Sequence, residues 1–144
     1  MKRTNKAMEI SLKADYALRA VLYIAQAGVA RPTITEISEQ ARIPREFLAK
    51  ILLRLTRAKL LESFLGVKGG YQLTRRPAQI TMLDVIEATD GPFKLRLRDP
   101  SGKTAEGFPT SASLMNPFFA SLERQMISAF KQQSFAKFPA RTKR

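Results

Sequence analysis

Two short helical segments joined by a tight turn constrain the fold of this chain more than any other feature. Residues 36–41 place the apolar Ile37 and Ala41 four positions apart, on one face of a helix. The turn Arg42-Ile43-Pro44 follows, and proline suits the first turn of a new helix. That second helix is predicted to reach about Lys59, with one largely basic face and an apolar stripe of Phe47, Leu48, Ile51, Leu52 and Leu55. The pattern predicts a helix-turn-helix unit.

The flanking segments extend this unit into a small domain. A helix is predicted over residues 13–26, and two strands over 60–64 and 70–74 enclose a glycine-rich turn. Thr81 is predicted to cap a further helix with Asp84 at its third position, and Gly91-Pro92 ends it. We therefore predict a mainly α fold with a small β-hairpin wing, a winged helix-turn-helix domain over residues 8–92. The glycine-rich turn lies between strands, so it does not match a nucleotide-binding loop.

The rest of the chain is divided into a basic N-terminal extension (residues 1–7), an irregular linker (93–113), a long helix (114–135) and a basic, disordered tail (136–144). Asn116-Pro117 is expected to open the helix. Its large apolar side chains recur at helical spacing: Met115, Phe119, Leu122, Met126 and Phe130. A helix after a polar linker has little core to cover it, so we expect this stripe to form a homodimer interface across a two-fold axis. The alternative is packing onto its own winged domain.

Composition narrows the possible functions. The 25 Lys and Arg against 12 Asp and Glu give a net charge of +13, which favours a polyanion as partner. The chain has no Cys and no His, and so lacks the usual ligands of zinc, copper and haem and the usual general base at neutral pH. We expect no metal, no cofactor and no enzymatic activity. The apolar runs are too short to span a membrane, and no signal core follows the N-terminus, so a cytoplasmic protein without a membrane partner is expected.

Basic residues on the second helix and the wing suggest double-stranded DNA as the partner. Arg45 can read guanine in bidentate fashion, and Glu46 can accept from cytosine or orient Arg45. Arg54 and Arg57 are placed to contact phosphates, which position a protein without reading sequence. Thr35 is expected to cap the first helix of the pair and also to contact DNA. The predicted DNA-binding residues are Thr35, Arg45, Glu46, Ala49, Lys50, Arg54, Arg57, Gly66, Lys68, Gly69 and Gly70. The alternatives are a merely solvated helix face, or a winged helix that binds protein or acts as a scaffold.

Five segments, in this order and spacing, resemble the Rrf family of winged-helix regulators, the group that contains IscR, NsrR and CymR: residues 10–20, 34–38, 43–52, 66–73 and 80–88. The resemblance implies a dimeric DNA-binding transcriptional regulator, usually a repressor, held together by its long C-terminal helix. Many members bind an iron–sulfur cluster through three cysteines between the winged domain and that helix. Residues 93–113 contain none, which excludes such a cluster and thiol-based sensing here.

Two departures concern DNA recognition and the effector. In the IscR branch a Glu follows the Leu of the recognition helix, whereas Ala49 follows Leu48 here. That branch also has an Arg before the wing Gly, where this chain has Leu65. We therefore do not expect this protein to recognise the operator sequence of the IscR branch. A small ligand could lie between the winged domain and the last helix, lined by Phe93, Phe108 and Phe118. Asp99 and Glu106 alone are too few for a metal site. A protein effector, or no effector at all, remain alternatives.

Overall fold

The structure, a computed structural model, describes residues 7–142, so the predicted extension over residues 1–7 lies almost entirely outside the described residues. The helices are α1 (Leu12–Gln26), α2 (Ile34–Ala41), α3 (Arg45–Arg57), α4 (Met82–Asp90) and α5 (Ser111–Gln132). An antiparallel hairpin of β1 (Leu61–Phe64) and β2 (Gly70–Leu73) follows α3, with Phe64 opposite Gly70. Short 3₁₀ turns lie at Pro77–Gln79 and Phe135–Lys137. The mainly α winged fold is confirmed.

Helices α1 to α4 enclose one hydrophobic core. Small side chains at Ala14, Ala17 and Ala20 are fully buried on α1 and let its neighbours approach closely. The predicted apolar stripe of α3 is buried at Leu48, Ile51, Leu52 and Leu55. Phe47 is the exception, because it lies at the border of the buried stripe. Its side chain is 50% exposed, and the centre of its ring lies 6.2 Å from the centre of the Tyr16 ring.

The turn between α2 and α3 is fixed by backbone and side-chain contacts. Arg42 adopts a left-handed conformation with a φ of 56°, which ends α2. The Ser38 hydroxyl donates to the carbonyl oxygen of Ile43 at 2.6 Å, and the Ile43 amide donates back to the Ser38 carbonyl at 3.0 Å. Ile43 itself is buried. These contacts set the direction in which α3 leaves the turn.

Caps decide where three helices begin, and two of them correct the sequence analysis. Thr33, not Thr35, caps α2 by accepting from the Glu36 amide at 3.2 Å, since Thr33 has extended backbone and the helix already includes residue 35. The capping box at Thr81 and Asp84 is confirmed. Helix α5 is capped by Thr110 and starts at Ser111, so Asn116-Pro117 does not open it. The Thr110 hydroxyl accepts from the Ser113 amide at 3.0 Å, and this cap outweighs the one hydrogen bond that Pro117 cannot donate within the helix.

The C-terminal segment, residues 133–142, is folded onto the winged domain, so the predicted disordered tail is wrong for residues 136–142. Phe135 is 2% exposed and its amide donates to the Ile80 carbonyl at 3.0 Å. The Gln26 side-chain amide donates to the carbonyl of Pro139 at 2.7 Å, and Arg141 lies over the ring of Tyr23 at 5.2 Å. The segment is ordered because its phenylalanines have an apolar surface to cover.

We expect Phe135→Ala to lower the free energy of unfolding by about 3 kcal/mol, because it removes a fully buried ring and leaves a cavity in the core. Denaturant unfolding followed by circular dichroism measures this. Phe108→Ala, at a ring that is 68% exposed, serves as the matched control and should change stability by no more than about 0.5 kcal/mol. Equal losses in the two variants would contradict the packing of the C-terminal segment.

Candidate nucleic-acid interface

Helix α3 presents a continuous exposed face opposite its buried stripe. The residues on this face are all exposed: Arg45, Glu46, Ala49, Lys50, Leu53, Arg54 and Arg57. The only ion pair within residues 7–142 joins Arg19 to Asp15 on α1, so no carboxylate neutralises the cations of α3. Its positive charge is therefore available to an anionic partner, on a helix of a size that fits the major groove of DNA.

Two side chains on this face differ in how they are held. Arg54 donates from Nη1 to the Thr89 carbonyl at 3.1 Å, so it also ties α3 to α4. Arg45 and Glu46 make no hydrogen bond with each other or with any other side chain in the described part of the molecule. The interpretation in which Glu46 orients Arg45 therefore gains no support. Arg45 stands in the first turn of α3, where it is free to extend away from the domain.

Gly70 positions the wing in a way that sequence reasoning missed. Its φ is +150°, and a Cβ atom built there would collide with the carbonyl oxygens of Arg31 and Pro32. The next amide, of Tyr71, donates to the Pro32 carbonyl at 3.0 Å, and the Arg31 guanidinium lies 3.5 Å from the centre of the Phe64 ring. The sequence analysis assigned Gly70 to the DNA-binding residues. In the structure it is buried and lets the hairpin approach the α1–α2 connector.

The tip of the wing, residues 65–69, is exposed except for the half-buried Gly69 and lies beside the start of α2. Lys68 is exposed there, and the Gly69 amide donates to the Gly66 carbonyl at 2.9 Å to close the turn. An open groove of about 410 Å³ between the tip and α2 is lined by Val29, Arg31, Thr33, Glu36, Val67, Lys68 and Gly69. The groove brings Arg31 and Lys68 to one surface. Arg31 was absent from the predicted site, because only the docked hairpin brings it there.

Helix α5 has no buried residue within the described chain. Of the predicted stripe, Met115 and Met126 are exposed, while Phe119 and Leu122 are half-buried. Phe130 stacks edge-to-face on Phe93 of its own chain at 5.5 Å, so it partly covers the linker rather than facing outward. The exposed apolar face includes two residues that the sequence analysis did not assign to it, Leu114 and Phe118.

The aromatic ligand pocket suggested by the sequence is not formed. Phe93 stacks on Phe130, whereas Phe118 stacks on Phe119. Phe119 and Phe130 are separated by about 16 Å along the axis of α5. Phe108 is 68% exposed. Within the described residues there is also no group of three His, Cys, Asp or Glu that could hold a metal ion. None of the helices in that part of the chain is both long and apolar enough to cross a bilayer.

A helix pair with an unneutralised basic face, followed by a docked hairpin, defines a winged helix-turn-helix protein of the DNA-binding class. The family model of Rrf2, described as an iron-dependent transcriptional regulator, matches residues 10–141. This chain belongs to the Rrf2 family, and it is a DNA-binding transcriptional regulator rather than an enzyme.

The sequence is similar to those of two known proteins. Protein aau3 of Rhizobium meliloti is 36% identical over 88 residues, which cover 61% of this chain and 57% of that protein. The chain thus spans little more than half of aau3. Rv1287 of Mycobacterium tuberculosis, whose name describes it as an HTH-type transcriptional regulator, is 33% identical over 131 residues. These residues cover 90% of this chain and 80% of Rv1287.

Two solved structures share the fold. CymR, the global cysteine regulator of B. subtilis, superposes with a TM-score of 0.74 at 19% identity, covering 90% of this chain and 95% of CymR. IscR of T. potens gives a TM-score of 0.72 at 22% identity, covering 90% of this chain and 85% of IscR.

The residues present do not fit the iron that the family description names. Iron–sulfur clusters need thiolates, and mononuclear iron sites rely mainly on imidazole and carboxylate ligands. The sequence has neither cysteine nor histidine, and the carboxylates of residues 7–142 do not gather in threes. The DNA-binding architecture is therefore retained without the donor atoms of an iron site.

Proposed function

We propose that this regulator binds a palindromic operator as a homodimer and represses transcription from it. The observation that supports the dimer is α5, a helix of 22 residues with no buried side chain and with Leu114, Met115, Phe118 and Met126 exposed along it. Apolar surface of this extent on one helix favours a partner helix. A two-fold axis at α5 would set two α3 helices about one DNA turn (~34 Å) apart.

In this proposal the first two turns of α3 read base edges, through Arg45, Glu46, Ala49 and Lys50. Arg57 and Lys68 neutralise phosphates, and Arg54 does so with the nitrogens not bound to Thr89. The exposed wing tip adds contacts to the sugar–phosphate backbone. Thr35 lies exposed in the first turn of α2, next to the same surface. A scaffold or protein-binding role for the winged domain would not require the uncompensated charge of α3.

Arg45→Ala is the experiment that separates reading of bases from binding of phosphates. We expect it to weaken binding to an operator selected from random duplexes by at least about 30-fold, since a bidentate guanine contact contributes about 1–3 kcal/mol of discrimination and the proposed dimer makes two such contacts. Binding to duplex without the operator should weaken about two- to threefold. Electrophoretic mobility shift at fixed salt measures both affinities, with Arg124→Ala on α5 as the control for loss of an exposed cation. Equal losses on the two duplexes would mean that Arg45 contacts phosphate alone.

A further inference from the structure

Residues 93–99, called here the basic ribbon, lie antiparallel along α5 and are held by side chains instead of a neighbouring strand. The Leu95 amide donates to Oε1 of Glu123 at 2.8 Å. The Leu97 amide donates to Oδ1 of Asn116 at 2.8 Å, and the Leu97 carbonyl accepts from Nδ2 of the same residue at 3.1 Å. The Asn116 amide therefore replaces the peptide group that a neighbouring β-strand would supply.

The ribbon must be extended to make these contacts. From Leu95 to Leu97 the chain can span at most about 7 Å, whereas Glu123 and Asn116 are two helical turns apart, about 10.5 Å. Its burial alternates with a period of two: Phe93, Leu95 and Leu97 are half-buried, while Lys94, Arg96 and Arg98 are exposed. This is the alternation of a strand with one face on a core.

The outer edge of the ribbon is unpaired. In an extended chain, alternate residues direct their N–H and C=O groups to the same side. Because residues 95 and 97 direct theirs at α5, those of Lys94, Arg96 and Arg98 point away from it, and they have no hydrogen-bond partner within residues 7–142. Pro92 and Pro100 bracket this edge, which limits strand pairing to the ribbon itself.

The three cations beside this edge also lack an acidic partner. No carboxylate of the described residues lies within 4.0 Å of Lys94, Arg96 or Arg98, and the undescribed residues 1–6 and 143–144 contain no Asp or Glu. The nearest carboxylate in sequence, Asp99, accepts instead from the Thr110 hydroxyl at 2.5 Å and the Gly102 amide at 3.0 Å.

We propose that the basic ribbon binds an extended acidic segment of another protein, which adds to its outer edge as a β-strand. An added strand satisfies both the donors and the acceptors of the edge, and carboxylates at alternate positions would lie opposite the cations. A second copy of the ribbon is disfavoured, because it would set like charges opposite each other. Nucleic acid fits less well, since phosphates only accept hydrogen bonds and would leave the edge carbonyls unpaired.

A labelled peptide of the ribbon's length, alternating valine and glutamate, tests this by fluorescence anisotropy with the full chain. We expect saturable binding that Arg96→Glu with Arg98→Glu weakens at least about tenfold. Arg124→Glu with Lys131→Glu makes the same charge change on exposed positions of α5 and should change binding less than about twofold. Equal effects of the two pairs, or no binding to the unaltered protein, would overturn the proposal.

Methylated peptides separate strand pairing from charge attraction without altering the protein. N-methyl groups on the pairing edge of the peptide remove its donors and should weaken binding at least about tenfold, while N-methyl groups on the other edge should have little effect. Equal binding of both peptides would refute strand addition. If Arg96→Glu with Arg98→Glu weakens binding to duplex DNA more than binding to the peptide, the ribbon is a nucleic-acid surface and the proposal fails.

Discussion

Phe118→Asp combined with Met126→Asp is expected to convert the protein into a monomer and to weaken operator binding at least 100-fold. Both side chains lie on the exposed apolar face of α5, with 63% and 39% of their surface exposed in the single chain. In the proposed dimer two carboxylates from each protomer would be buried in an apolar interface without partners, which is strongly unfavourable. A monomer also loses the simultaneous engagement of two half-sites, which commonly contributes a factor of about 10² to 10⁴.

Light scattering reports the mass, and a mobility shift on the selected operator reports the affinity. The matched control is Arg124→Asp with Ser128→Asp, which places carboxylates on the exposed polar side of the same helix. The control should keep both the dimer mass and the operator affinity. A dimeric mass for the Phe118 and Met126 variant, with an unfolding midpoint close to that of the control, would rule out this face as the interface.

Local signals were enough to predict the winged domain. Pro44 and the apolar spacing of α3 mark the turn and the helix, and the capping box at Thr81 marks the start of α4. Glycines around residues 66–70 mark the hairpin, whose strands differ from the prediction only at their ends. Each of these features depends on residues within one or two turns of each other, which is why sequence alone was sufficient.

Long-range contacts account for what the sequence did not reveal. Phe135 is buried against a segment that includes Ile80, more than fifty positions away. The basic residues that follow Phe135 predicted a disordered tail instead of this contact. The alternation in residues 93–99 is visible in the sequence, but a strand with no strand partner was not anticipated. Its partners are the side chains of Asn116 and Glu123. Gly70 likewise acquires its role only when the hairpin meets Arg31.

DNA binding by α3 and the wing should depend steeply on the salt concentration, because it rests on contacts between cations and phosphates. The three proposed phosphate contacts, Arg54, Arg57 and Lys68, are exposed and free of ion pairs within the described residues, giving three cations per protomer and twice that in a dimer. Each phosphate neutralised adds about 0.9 to the slope of log affinity against log salt, so the slope should be about −5 or steeper. Affinity should then fall about 10³-fold between about 50 and 200 mM salt.

A salt titration of duplex binding by the full chain and by Lys68→Gln tests whether α3 and the wing bind DNA. Because the change occurs once in each protomer, the slope of the Lys68→Gln protein should be shallower by about 2. Lys103→Gln, an equally exposed lysine outside the proposed interface, should leave the slope unchanged. We expect a steep slope that becomes shallower in Lys68→Gln and not in Lys103→Gln. A slope near zero, or no duplex binding even at 50 mM salt, would contradict this expectation.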